Sequence, residues 1–202
     1  MKVWAIVPVK SLSHAKSRLA SILTPAERKQ LALRMLRYNL ETVSDSGLLS
    51  GVLVISRDAD ALQTAQQVDD VIALQETGIP HLNDALNQAR GLLTGWGADA
   101  VLVLPADIPF ITAEDLRAML AMGQEPGTVV IAPDRHRQGT NAILLHPPRV
   151  IDFSFGIGSF ERHQQIARTN GAQVVHYQSE ALELDIDTPD DMLIWQDKLG
   201  IR

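Results

Sequence analysis

The chain has 202 residues, of which 46% are hydrophobic and 21% charged, with a formal net charge of −6; this is the balance of one soluble globular domain and not of a disordered or fibrous chain. The absence of cysteine excludes disulfides, thiolate nucleophiles, zinc ribbons and iron–sulfur clusters, and the histidines form no close-spaced pair, so any metal is expected on carboxylates and is expected to be a hard cation such as Mg2+. The acidic balance speaks against a grip on long nucleic acid, and no apolar run reaches the ~20 residues of a membrane span.

Residues 3–8 read as a buried first strand. Their apolar run is too short for a secretory core, so a cytoplasmic protein is expected. The strand runs into a loop in which Lys10, Lys16 and Arg18 crowd together. Several cations on flexible backbone suit a polyphosphate; an exposed basic turn is the plainer alternative. Neither a Walker loop nor a GxGxxG fingerprint occurs. Thr24-Pro25-Ala26-Glu27 is a capping box with proline at the first helical position. The helix it opens carries Leu31, Met35, Leu36 and Leu40 at helical spacing and ends near Gly47. Residues 51–56 and 71–74 are further strands. Ser56, at the end of one, could touch a base or ribose, and Asn83, at the start of the next helix, could read a purine edge; local capping is the plainer reading of both.

Residues 100–104 form a fourth strand ending in Pro105-Ala106-Asp107-Ile108-Pro109. A carboxylate held between two prolines at a strand end suits a metal ligand, and capping a turn is the alternative. Thr112 opens a helix closed by Gly123, and residues 129–133 and 142–145 are strands. Between them, the turn at residues 134–138 carries Arg135, His136 and Arg137 and reads as solvated or anion-attracting. Gly139-Thr140-Asn141 and Phe155-Gly156-Ile157-Gly158-Ser159-Phe160 are the most unusual segments. The second is a glycine-rich turn opening a helix, a natural anion cradle, with Ser159 as its N-cap or a direct ligand; an ordinary capped loop is the alternative. His163 on that helix reads as packing or surface. Residues 173–177 and 182–186 are the last strands expected, with Asp185 and Asp187 on one face, where their repulsion calls for a cation between them; Asp187 merely helping to cap the helix that starts at Thr188 is the alternative. Thr188-Pro189 opens the final helix.

Strand–helix alternation predicts one α/β domain over residues 1–202 with a mostly parallel sheet covered on both faces, and ligands at the carboxyl ends of its strands. Asp107 and Asp187 would then make a two-carboxylate magnesium site completed by water and phosphate.

These segments resemble the guanylyltransferase family that makes the guanylylated precursor of coenzyme F-420 from 2-phospho-L-lactate or phosphoenolpyruvate. The resemblance rests on Val7-Pro8-Val9-Lys10 with Lys16-Ser17-Arg18-Leu19, on Leu104-Pro105-Ala106-Asp107-Ile108-Pro109, on Gly139-Thr140-Asn141-Ala142 with Phe155-Gly156-Ile157-Gly158-Ser159-Phe160, and on Asp185-Ile186-Asp187-Thr188-Pro189. It implies a Rossmann-like nucleotide-diphospho-sugar transferase fold and a homodimer. It implies that Thr140, Gly156 and Ser159 hold the phospho-acid, Asp107 and Asp187 hold Mg2+, and the basic loop holds GTP. The expected reaction is transfer of GMP with release of pyrophosphate. The competing readings are another nucleotidyltransferase of this fold, of sugar-phosphate or molybdenum-cofactor type, and a non-catalytic nucleotide-binding module.

Overall fold

The computed structural model describes residues 1–184 and 186–198. Seven strands form one sheet: β1 (Val3–Val9), β2 (Gly51–Ser56), β3 (Val71–Gln75), β4 (Ala100–Val103), β5 (Thr128–Pro133), β6 (Thr140–His146) and β7 (Gln173–His176), in spatial order β3-β2-β1-β4-β6-β5-β7. All run parallel except β6, which pairs antiparallel with both β4 and β5. Each lies within two residues of a strand expected from the sequence. The continuous apolar runs of β2, β4, β5 and β6 reflect burial on both faces, whereas the edge strands β3 and β7 are only partly buried. Along β1, Ala5 and Val7 enter one core and Ile6 the other; along β4, Leu102 enters the first and Val101 and Val103 the second.

The helices that cover the faces are α1 (Pro25–Asp45), α2 (Ala59–Ala65), α3 (Leu82–Gly95), α4 (Ala113–Met122), α5 (Ser159–Thr169), α6 (Glu180–Glu183) and α7 (Pro189–Lys198). The Thr24 capping box is complete, with Thr24 accepting from the Glu27 N–H and Glu27 reaching back to the Thr24 N–H. Thr112 and Asp115 repeat the device at α4. Among the described residues no helix is long and apolar enough to cross a membrane.

Among the described residues of the eighth expected strand, 182–186, none lies in a strand. Its first residues belong to α6, whose N-cap Ser179 accepts the Ala181 N–H. Leu182 is fully buried beneath this short helix, and so short an apolar run has no period that separates strand from helix. The shared strand face assigned to Asp185 and Asp187 therefore falls away, and Asp185 lies outside the described residues.

A third, smaller core matters most for the site. Leu19 from the basic loop, Leu31 and Met35 from α1, and Ile186 and Met192 from the end of the chain pack together. This cluster brings the first loop against the segment that carries Asp187.

Candidate active site

A cleft of about 670 Å³ opens where the carboxyl ends of β1 and β4 meet the start of β6. Lys10, Lys16, Asp107, Thr140 and Asp187 all line it, as do the apolar Leu82, Leu86 and Phe155. Strand ends at a sheet of this kind are where binding sites are sought.

At one end of the cleft the charges are tightly coupled. Lys16 stands between two 3-10 turns in the left-handed region, with φ 51° and ψ 42°, and this turns its side chain inward. Its Nζ donates to Asp107 Oδ2 at 2.9 Å and to Asp187 Oδ1 at 3.1 Å, and the side chain is 6% exposed. Burial works to lower the Lys16 pKa, but the two carboxylates outweigh it and hold the ammonium above its ordinary value. Arg18 reaches Asp187 Oδ2 from the surface at 3.4 Å and is 73% exposed. The basic loop expected to be a set of free cations is thus partly an ion-pair network, with Lys16 bound to the two carboxylates assigned to the metal. Asp107 and Asp187 share one cation through oxygens that remain 40% and 33% exposed as side chains, and a hard divalent ion with its waters fits such a donor set. Among the described residues no group of three or more acidic, histidine or cysteine side chains could hold a metal.

Behind Thr140 lies the glycine-rich turn, of which Phe155 lines the cleft and Gly156 and Ser159 do not. Gly156 (φ 127°) and Gly158 (φ 73°) occupy backbone regions that side chains rarely enter. Gly158, not Ser159, is the N-cap of α5, so Ser159 is the first helical residue and is buried. The Ser159 N–H is taken by Gly156 O at 2.9 Å and the Phe160 N–H by Gln138 O at 3.3 Å. The expected cradle of backbone donors is therefore already engaged at these two groups. The Ser159 Oγ donates instead to Thr140 Oγ1 at 3.2 Å, and Thr140 also meets His163 Nδ1 at 3.0 Å. Arg162 clamps the turn through Ser154 and the Ile157 carbonyl.

Other expected ligands have structural partners. Ser56 is fully buried; its Oγ donates to Val9 O at 2.8 Å and accepts the Asp58 N–H at 2.9 Å, which locks the strand end and keeps the hydroxyl out of the cleft. Asn83 clamps Phe155, donating to its carbonyl at 3.3 Å and accepting its N–H at 2.8 Å, so it positions a ring of the cleft wall. The 134–138 turn is organised by Asp134, whose Oδ1 accepts the N–H groups of His136 and Gln138. Its cations are used internally: Arg135 pairs with buried Asp191 at 3.0 Å, and Arg137 lies over the Phe160 ring at 5.3 Å. The sequence does not mark the apolar wall, and it offers no binding role for His163, which is fully buried with both ring nitrogens bonded. One signal was available: Ser159 and His163 are four residues apart and share a helix face.

Burial, aided by the Arg162 guanidinium, lowers the His163 pKa from 6.5 to about 4. The folded state keeps this ring neutral while the unfolded chain takes up a proton, so stability is full above 6.5 and falls as pH drops towards 4. The total loss is roughly 3 kcal/mol. Urea midpoints measured from neutral pH downward should fall more steeply for the wild type than for His163→Asn; equal slopes would show that another group carries the acid response.

A family model described as "Guanylyl transferase CofC like" matches residues 2–195. The phosphoenolpyruvate guanylyltransferase of Sphaerobacter thermophilus is 41% identical over 192 residues, covering 95% of this chain and 91% of its own. That of Rubrobacter xylanophilus is 42% identical over 202 residues, covering 100% of this chain and 97% of its own. Among solved structures, a candidate nucleotide-diphospho-sugar transferase from Desulfovibrio desulfuricans superposes with a TM-score of 0.78 at 17% identity, over 98% of this chain and 88% of that one. The 4-diphosphocytidyl-2C-methyl-D-erythritol synthase of Anaerococcus prevotii gives 0.69 at 12% identity, over 98% and 96%. At these identities the structures establish the nucleotide-diphospho-sugar transferase fold.

Proposed function

The chain belongs to the CofC-like guanylyl transferase family and is a nucleotidyltransferase, and from that premise we propose that it transfers GMP from GTP to phosphoenolpyruvate with release of pyrophosphate, in coenzyme F-420 biosynthesis. The observation that supports the reading best is one cleft lined both by a lysine-bridged carboxylate pair and by Thr140. The first suits a nucleoside triphosphate and the second a small phosphorylated acid. Phosphoenolpyruvate is preferred to 2-phospho-L-lactate because the relatives of similar length carry that substrate in their names.

In the proposed reaction an oxygen of the acid's phosphate forms a bond to the α-phosphorus of GTP, the bond from that phosphorus to the β-phosphate oxygen breaks in line, and pyrophosphate leaves. A phosphate with a second pKa of about 6 is already ionised near neutrality, so no side chain needs to remove a proton. Catalysis then rests on positioning and charge neutralisation. Lys10 and Lys16 balance the triphosphate charge, and Phe155 with Leu82 and Leu86 excludes water from one wall. Asp107 and Asp187 would hold Mg2+, which when bound supplies further neutralisation of the reacting phosphates.

The test is pyrophosphate release from GTP and Mg2+ with phosphoenolpyruvate, 2-phospho-L-lactate and 3-phosphoglycerate in parallel. Release with phosphoenolpyruvate is the expected result. Release with another acid alone would move the acceptor assignment, and silence with all three, in folded protein that binds GTP, would refute the acceptor class.

A further inference from the structure

The buried hydrogen-bond chain behind the cleft has only one consistent proton arrangement. The Ser154 N–H donates to His163 Nε2 at 3.0 Å, so that nitrogen is an acceptor. A neutral imidazole carries one N–H, which must therefore sit on Nδ1, 3.0 Å from Thr140 Oγ1. Ser159 Oγ donates to the same oxygen at 3.2 Å. Two incoming donors occupy both lone pairs of the Thr140 hydroxyl. Among the described residues no acceptor meets the remaining hydrogen, and Thr140 lines the cleft.

We infer that His163 is a positioning residue that makes the Thr140 hydroxyl an obligate hydrogen-bond donor into the cleft, directed at an anionic oxygen of the phospho-acid. This rests on the proposed acceptor class and adds to it the group that orients the acid.

The chain is rigidly held. His163 is fully buried, and Phe155 meets its ring edge-on with centroids 4.9 Å apart. Arg162 Nε donates to Ser154 Oγ and Arg162 Nη2 to Ser154 O, both at 2.9 Å, so the donor to Nε2 is itself fixed. Burial and the Arg162 charge keep the ring neutral, which the arrangement requires. An anionic oxygen gains from such a fixed donor because it can only accept, and a hydrogen bond to a charged group is among the stronger ones.

Two measurements decide the point. Nitrogen-15 NMR of the His163 ring in the full-length protein near neutral pH should show Nδ1 protonated and Nε2 bare. The opposite tautomer or an imidazolium would overturn the inference whatever acid the enzyme uses. In steady-state kinetics with GTP and phosphoenolpyruvate, His163→Leu should raise KM for the acid roughly 10-fold or more while leaving KM for GTP unchanged. His163→Asn, whose amide nitrogen can stand where Nδ1 stood and donate, should recover most of that loss. In a Thr140→Val background, replacing His163 by leucine should add little, because the two act as one unit. Equal increases in both KM values, an increase for GTP alone, or additive losses would overturn it. Should His163→Leu not fold, the asparagine variant and the ring spectrum still decide. A wild type that is silent with phosphoenolpyruvate would overturn the acceptor reading, leaving the tautomer result to judge His163 by itself.

Discussion

Replacing Asp107 by asparagine is expected to lower turnover by about 10³-fold or more while the protein stays folded. Asp107 follows β4 in a segment fixed by Pro105 and Pro109, and its side chain is 40% exposed, so the substitution removes charge without opening a core. It leaves Lys16 with only Asp187 as partner and removes one of the two carboxylates that would hold Mg2+. The variant should keep its far-ultraviolet circular dichroism and melt within a few degrees of the wild type, and excess Mg2+ should restore little. Normal turnover in this variant would sink the metal assignment.

Lys16→Met is the second large effect. Lys16 Nζ is the cation between Asp107 and Asp187, and its loss leaves two like charges facing each other. Because both carboxylates keep contact with water, stability should fall by only about 1–2 kcal/mol. Turnover should fall by about 10²–10³-fold, the usual cost of one electrostatic stabiliser of a transferring phosphoryl group. The Mg2+ dependence separates two roles. If Lys16 also competes with the metal for the carboxylates, half-maximal activity will need less Mg2+ in the variant even as its maximum drops. A rate close to that of the wild type would remove Lys16 from the chemistry.

Much of this was legible in the sequence because the relevant forces are local. The seven strands announce themselves by short apolar runs, and the Thr24, Thr112 and Thr188 starts by capping chemistry that spans three residues. Asp107 could be picked out because prolines flank it and a strand precedes it. The wiring could not. Lys16 meets partners 91 and 171 positions away, and nothing in a linear pattern says that a lysine of a basic loop turns inward. The same blindness made Ser56 and Asn83 candidates for nucleotide contact, since a polar residue at an element end looks alike whether it faces a cleft or ties down a neighbouring backbone. His163 reads from the sequence as packing or surface; it is packed, and its hydrogen bonds depend on where Ser154 and Thr140 lie in space.

The single reversed strand, β6, carries a consequence for how this enzyme could be altered. It reaches the cleft with its first residue, Thr140, whereas β1 and β4 reach it with their last. The Asp134-centred turn that feeds β6 is therefore a separate hinge of the architecture from the loops that place Lys16 and Asp107. Arg135 of that turn pairs with Asp191, which accepts the Asp187 N–H, so only changes that spare Arg135 reshape the Thr140 side without disturbing the carboxylate pair. On the proposed reading, donor and acceptor preferences form two modules on one sheet. Libraries confined to residues 136–139, which leave Arg135 on Asp191, should yield altered acceptor choice with unchanged nucleotide affinity, a route to new guanylylated acids from an otherwise untouched scaffold.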